Sequence, residues 1–205
     1  MTNDVLEQLV EDYLRNEGYF TQHNVKFRPN QDKIERNDRN QFSVHSDIDV
    51  VAIHPKKIGL DKVIVVSCKS WQGGLNLKSL DKMNNLYERQ DYKSREIKIF
   101  KDLFHPIWTK ALMDKVFQLT GRRTFIFYLA LTKYIGKKKD VVIWETNYVF
   151  KKNLPGCMVK IINFRQMLEA VNDLIGLTPE HGELGRTLQL IKASGGKVLY
   201  KTDNV

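Results

Sequence analysis

The chain has 205 residues, 42% hydrophobic and 28% charged, the composition of one ordinary globular domain with room for a substantial core and no low-complexity tract or repeat. Its longest apolar run, Phe125 to Leu131, is too short to cross a bilayer, its acidic first residues MTNDVLEQLVED are unlike a secretion signal, and Cys68 and Cys157 lack the CxxC spacing of zinc or redox sites, so the expectation is a cytoplasmic protein with reduced thiols and no membrane partner. The net charge of +9 is uneven: Lys78 to Lys139 hold 15 basic and 6 acidic residues, whereas the first twenty residues are acidic, so the middle third attracts polyanions in a salt-dependent way or presents a solvated helical surface.

In chain order, residues 4 to 17 carry Leu6, Leu9, Val10, Tyr13 and Leu14 at helical spacing, with Asn3 as cap and Gly18 as terminator. A strand is expected over Tyr19 to Phe27, then a polar loop from Arg28 to Ser43, then strands over Val44 to Ile53 and Lys62 to Lys69 joined by the hairpin segment HPKKIGLD. After Gly73 and Gly74 the pattern turns helical, over Ser79 to Tyr92 and Glu96 to Leu119, with Pro106 breaking or kinking the second run. Strands follow at Thr124 to Thr132, Asp140 to Glu145 and Val159 to Asn163, then helices at Phe164 to Ile175 and Pro179 to Ala193, the last capped by Thr178 and weakened by Gly182 and Gly185. The order of elements predicts a mixed sheet flanked by helices, α/β in class: a core over about 4–132 that includes the basic helical segment 78–120, and an extension over 133–205 within the same domain.

Two strands end in charge. Alternation in HSDIDVVAI places His45, Asp47, Asp49 and Val51 on one face and Ile48, Val50 and Ala52 on the other. In VIVVSCKS it places Ser67 and Lys69 together, with Cys68 opposite, so that Asp49 and Lys69 converge if the strands are neighbours. Aspartates are depleted in strands and seldom buried alone, and a hard divalent cation would account for Asp47 and Asp49, although solvation or backbone amides would also serve them. At 100° per residue Glu7 lies at the margin of the first helix's apolar stripe, about 20° from Leu14, and can face the sheet or simply favour the helix dipole. His45 is better placed beside such a site than in it, since histidine is an uncommon Mg²⁺ ligand, and Cys68 has no histidine to activate it as a nucleophile.

Glu7 on the first helix, Asp49-Val-Val-Ala on a strand and Ser67-x-Lys69 on the next, taken in that order, resemble the PD-(D/E)xK nuclease superfamily, nearest to archaeal Holliday-junction resolvases and Mrr-type restriction enzymes, with good agreement over residues 4 to 75. The resemblance implies a restriction-endonuclease-like fold and a Mg²⁺- or Mn²⁺-dependent endonuclease acting on DNA. Asp49 and Glu7 would hold the metal, Asp47 would be a further carboxylate, and Lys69 would orient the attacking water and stabilise the charged transition state. Ser67 departs from the pattern, standing where the superfamily has an acid or, in Mrr-like members, Gln. Asp47, an acid on the next helix such as Glu88, or a loss of catalysis are three ways to meet that departure.

Trp71, Gln72, Lys78, Lys82, Arg89 and Lys93 are candidates for nucleic-acid contact, with Trp71 stacking on a base or, alternatively, covering the sheet edge. Lys137 to Lys139 read as a solvated turn. A homodimer would supply two sites for two strands. The alternatives to a nuclease are a catalytically silent relative that binds nucleic acid or a protein partner, and an interaction protein whose charge is incidental.

Overall fold

The computed structural model describes residues 4–30, 44–174 and 182–196. The first amphipathic segment is helix α1 (Val5–Asn16), capped by Asp4, whose Oδ1 accepts the Leu6 amide at 2.9 Å; the expected cap, Asn3, lies outside the described residues. Gly18 ends the helix at φ +88°, as its spacing predicts. Leu6, Leu9, Val10 and Leu14 bury its stripe.

Strands β1 (Phe20–Phe27), β2 (Ser46–Ile53) and β3 (Val63–Lys69) form an antiparallel meander. On the far side of β3 lie β5 (Ile126–Leu131) and β7 (Met158–Asn163), both parallel, giving the order β1-β2-β3-β5-β7; two short segments, β4 (Leu75–Asn76) and β6 (Tyr134–Ile135), pair separately. The central position of β3 explains the β-branched run Val63 to Val66, buried on both faces. The loop expected over Arg28 to Ser43 falls largely on residues 31–43, outside the described ones.

The crossover from β3 to β5 is helical: α2 (Leu80–Glu88), α3 (Arg95–Ile99), α4 (Lys101–Phe104) and α5 (Pro106–Thr120). The run expected as one helix over 96–119 is thus three. Pro106 opens α5 at its first position, where a missing N–H costs nothing, and His105 before it is extended. Helices cover both faces of the sheet. On one face α1, α8 (Phe164–Leu174) and α9 (Glu183–Ala193) pack on Val50, Ala52, Ile64, Val66 and Ala130; on the other, Val51, Val63, Val65, Phe127 and Leu129 meet Met83, Phe100, Phe104, Trp144 and Phe150.

Three expectations are corrected. Asp140 to Glu145 is not a strand but lies in helix α6 (Lys138–Glu145), where Asp140 accepts the Lys137 amide at 2.7 Å and Trp144 alone is buried, its Nε1 donating to the Leu77 carbonyl at 2.8 Å. Val142 and Ile143 stay exposed, so their β-branched chemistry has no sheet to serve. A short helix, α7 (Tyr148–Asn153), capped by Asn147, follows and was not expected. The last helix begins at Glu183 with Gly182 as cap rather than at Pro179; Thr178 and Pro179 lie outside the described residues. One of its two glycines, Gly182, is required rather than tolerated. The buried Asp12 carboxylate accepts the Gly185 amide at 3.1 Å, and a Cβ on Gly182 would overlap that carboxylate.

Candidate active site

The site is built where the β2–β3 ladder stops. The two strands pair from Ile53 opposite Val63 to Val50 opposite Val66, and no further. On its other side β2 pairs with β1 through Val50 opposite His23 and Ile48 opposite Val25, so Asp49 stands between ladder positions, opposite Asn24 at φ +49°. Here strict alternation fails. Ile48 joins the core of Val25, Phe27, Val51 and Val65, whereas Val50 belongs to the core beneath α1, so the hairpin rolls over at Asn24 and Asp49. Such interruptions in a strand pair re-aim side chains. The Asp49 carboxylate takes the hydrogen bond that the ladder leaves open, accepting the Cys68 amide through Oδ2 at 2.5 Å.

On β3 the expected pairing of side chains is present: Lys69 Nζ donates to Ser67 Oγ at 3.0 Å. Ser67 is buried, at 6% exposure, and Lys69 is half-buried. Burial raises the Asp49 carboxyl above its usual range; the Cys68 amide and the Lys69 charge oppose this, and Asp47 and Asp4 add to it. Glu7 is also raised, by burial first and then by Asp49 and Asp4, which places the glutamate of α1 in the field of the strand aspartate. Four carboxylates, from Asp4, Glu7, Asp47 and Asp49, therefore load one end of the sheet. Cys68 lies between them: burial, Asp49 and Glu7 push its thiol well up, leaving no thiolate for nucleophilic work.

The other candidates separate. Asp47 is engaged on the surface by Lys26, Nζ to Oδ2 at 2.5 Å, while its charge is still felt at Glu7 and Asp49. His45 is exposed and lines a cleft of about 670 Å³ with Lys26, Arg28, Asp114 and Lys115, away from Asp49. Glu88 is exposed at the end of α2, where Oε1 accepts the Tyr148 hydroxyl at 2.7 Å, so its partner is α7 and not Lys69. Trp71 is half-buried and meets Phe100 edge-on at 5.7 Å, in keeping with a cover over the core. Gln72, Lys78, Arg89 and Lys93 are exposed, and Lys82 forms an ion pair with Glu96.

One residue escaped the sequence reading. Asp102 on α4 is 8% exposed, and its Oδ1 is without a hydrogen-bond partner. Burial pushes its carboxyl up to about 6 against the pull of Lys69 first and Lys101 second, with Asp49 and Asp47 adding to the rise. Lys101 itself sits over the Trp108 ring at 3.9 Å, and burial lowers its proton affinity. The available signal was one acid between Ile99 and Leu103-Phe104 in an apolar segment. Among the described residues, no three His, Cys, Asp or Glu side chains converge as a ready-made ion cage.

Compared with family models, curated proteins and solved structures, the chain gives no match. Among the described residues, no helix is long and apolar enough to cross a membrane.

Proposed function

We propose that the chain is a metal-dependent nuclease with a restriction-endonuclease-like fold, hydrolysing DNA phosphodiester bonds. The observation that carries this reading is the meeting of Glu7, Asp49, Ser67 and Lys69, drawn from a helix and two strands, at the one end of the β2–β3 pair where the ladder is interrupted. The five-stranded mixed sheet with helices on both faces is the kind of scaffold the reading requires.

Mg²⁺ is commonly held by one or two carboxylates and keeps several waters, so the raised Asp49 and Glu7, the glutamate lying in the field of the aspartate, suit it although no three-residue cage is formed among the described residues. Bound there, the metal would polarise a phosphate and lower the pKa of a water. The chain's own groups do the rest. Lys69, steadied by Ser67, presents its ammonium to the charge that grows on the phosphate. The Cys68 amide fixes the orientation of Asp49. Exposed Lys78, Arg89 and Lys93, which form no ion pairs among the described residues, and the cleft bearing Lys26, Arg28 and Lys115 would bind the phosphate backbone. A second copy, or a second encounter, would serve the opposite strand.

The test is cleavage of linear, single-stranded and branched DNA with Mg²⁺ or Mn²⁺. Wild type should cut at least one form, and Lys69→Ala and Asp49→Ala should each lose about 100-fold or more. If wild type cuts none with either metal, the enzyme reading fails. Ser67, a neutral residue where the superfamily has an acid, favours the second reading, a silent nuclease-fold module. That reading expects DNA affinity that falls steeply with salt, and no calorimetric heat from millimolar Mg²⁺.

A further inference from the structure

We propose that Lys78, Lys137 and Lys139 form a phosphate-binding cleft that holds the backbone of a nucleic-acid strand beyond the open end of the β2–β3 pair. The choice of a nucleic acid as occupant rests on the nuclease reading.

The cleft is made by continuing the two central parallel strands past the sheet. β3 and β5 end side by side, Lys69 opposite Leu131, and the Thr132 amide still donates to the Lys69 carbonyl at 3.3 Å. Beyond them β4 and β6 pair in the same sense, Leu75 with Tyr134 and Asn76 with Ile135, and the Leu75 amide donates to the Lys133 carbonyl at 3.1 Å. Gly74 permits that approach, since a Cβ there would lie 2.8 Å from the Lys133 carbonyl oxygen. The ribbon therefore leaves the sheet at the carboxyl end of β3, the end that carries Lys69. Open α/β sheets bind their ligands outside the carboxyl ends of their parallel strands.

Between the ribbon and α6 lies a cleft of about 460 Å³, walled by Lys78 after β4, by Lys137 and Lys139 at the start of α6, and by Asn76, Ile135 and Asp140. Three features distinguish it from a solvated turn. Its walls are fixed: Asn76 Oδ1 accepts the Lys78 amide at 3.1 Å, Asp140 accepts the Lys137 amide at 2.7 Å, and Trp144 Nε1 ties α6 to the Leu77 carbonyl at 2.8 Å. Its three lysines are exposed and form no ion pair among the described residues, whereas Lys26, Lys82 and Lys110 each hold an acid. Asp140, the acid in its wall, is outnumbered three to one and already serves the Lys137 amide. Three ammonium groups gathered around one cleft repel one another, and successive phosphates of a strand relieve that repulsion while releasing counterions. A strand whose phosphate meets Lys69 runs on along the ribbon into this cleft.

The test is DNA binding by the full chain in EDTA, read by fluorescence anisotropy with a short labelled single strand and a duplex over a range of NaCl concentrations. Replacing Lys78, Lys137 and Lys139 together by Gln should weaken binding about tenfold or more at low salt and flatten the slope of log K against log salt by about two to three, roughly one per lost phosphate contact. Replacing the same three by Arg should keep the wild-type affinity and slope. Gln at Lys56, Lys151 and Lys160, exposed lysines elsewhere on the surface, removes equal charge and should cost much less; an equal loss would show that net charge binds the DNA and would overturn the proposal. So would wild-type affinity in the cleft triple, or no binding by wild type at low salt. Calorimetric heat from millimolar inorganic phosphate or AMP that the cleft triple abolishes would make this a site for small phosphates, and displacement of the labelled strand by polyglutamate as readily as by unlabelled DNA would make the occupant an acidic protein segment; either overturns the strand. If DNA binds through these lysines and wild type cuts none, the nuclease reading falls and the cleft stands. If wild type cuts and the cleft triple binds and cuts alike, the cleft falls and the nuclease reading stands.

Discussion

The two ends of the β2–β3 pair are made from the same two strands and do opposite work. At the closed end four apolar pairs, from Ile53–Val63 to Val50–Val66, keep an unbroken ladder, and the connection is sealed by the His54 amide on the Lys62 carbonyl at 2.9 Å and by His54 Nδ1 accepting the amides of Lys56 and Lys57. At the open end the ladder stops, and Asp47, Asp49, Ser67 and Lys69 take its place. Burial stabilises the first end and raises the acids of the second. Stability and chemistry are thus segregated along one hairpin, and substitutions at its two ends should move different observables.

The largest effect on stability belongs to the closed end. Ile64 is 3% exposed between α1 and β5, and Ile64→Ala should cost about 2–5 kcal/mol in urea unfolding by lost burial and an unfilled cavity. Asp49→Asn, a few residues away, keeps an oxygen for the Cys68 amide and removes a buried charge. It should leave stability equal or higher at pH 7 while removing the Mg²⁺ heat. A loss with Asp49→Asn as large as that with Ile64→Ala would erase the distinction between the ends.

A second effect is one of pH. An ordinary paired aspartate is more acidic in the folded state and stabilises above its unfolded value; Asp102 is the reverse. Below about pH 4 it is protonated, folded or unfolded, and its burial is cheap. As pH rises the unfolded chain ionises first, near the ordinary 3.8, and the folded chain only near 6, so the folded state binds more protons through that window and loses stability across it. Asp102→Asn should remove this slope. Wild type and variant should unfold with similar midpoints at pH 4 and separate by pH 7, with the variant the more stable; parallel curves from pH 4 to 7 would show that the carboxylate is not held in a dry site.

How much of this could be read from the sequence follows from what kind of signal each residue gives. Period and composition located α1, the three meander strands and β5, because their stripes and β-branched runs are local consequences of burial. The Lys69–Ser67 contact followed from alternation alone. Alternation misled at Ile48, because the roll of the hairpin at Asn24 and Asp49 depends on pairing with β1, which no single strand encodes. The α6 segment misled for a related reason: Val141 to Ile143 carry strand propensity, but the burial of Trp144 under Leu77 decides their conformation from 67 residues away. Asp102 was the hardest to see. Its burial is decided by how the whole crossover packs, and its apolar neighbours Leu103 and Phe104 give only a local hint of it.

The smallest expected effect settles where the open end stops. The Lys26–Asp47 ion pair is well exposed, 60% for the lysine side chain and 36% for the aspartate, so Lys26→Ala should change stability by less than about 1 kcal/mol. Its value lies in what it does to Asp47. Released from Lys26, a carboxylate whose charge already reaches Glu7 and Asp49 would strengthen the negative field at the ladder break. If Asp47 belongs to the site, calorimetry should show tighter Mg²⁺ binding in Lys26→Ala, and Asp47→Asn in that background should abolish the gain. If the affinity stays where it was, Asp47 is a surface partner of β1, and the metal-facing chemistry of the open end contracts to Asp49 and Glu7.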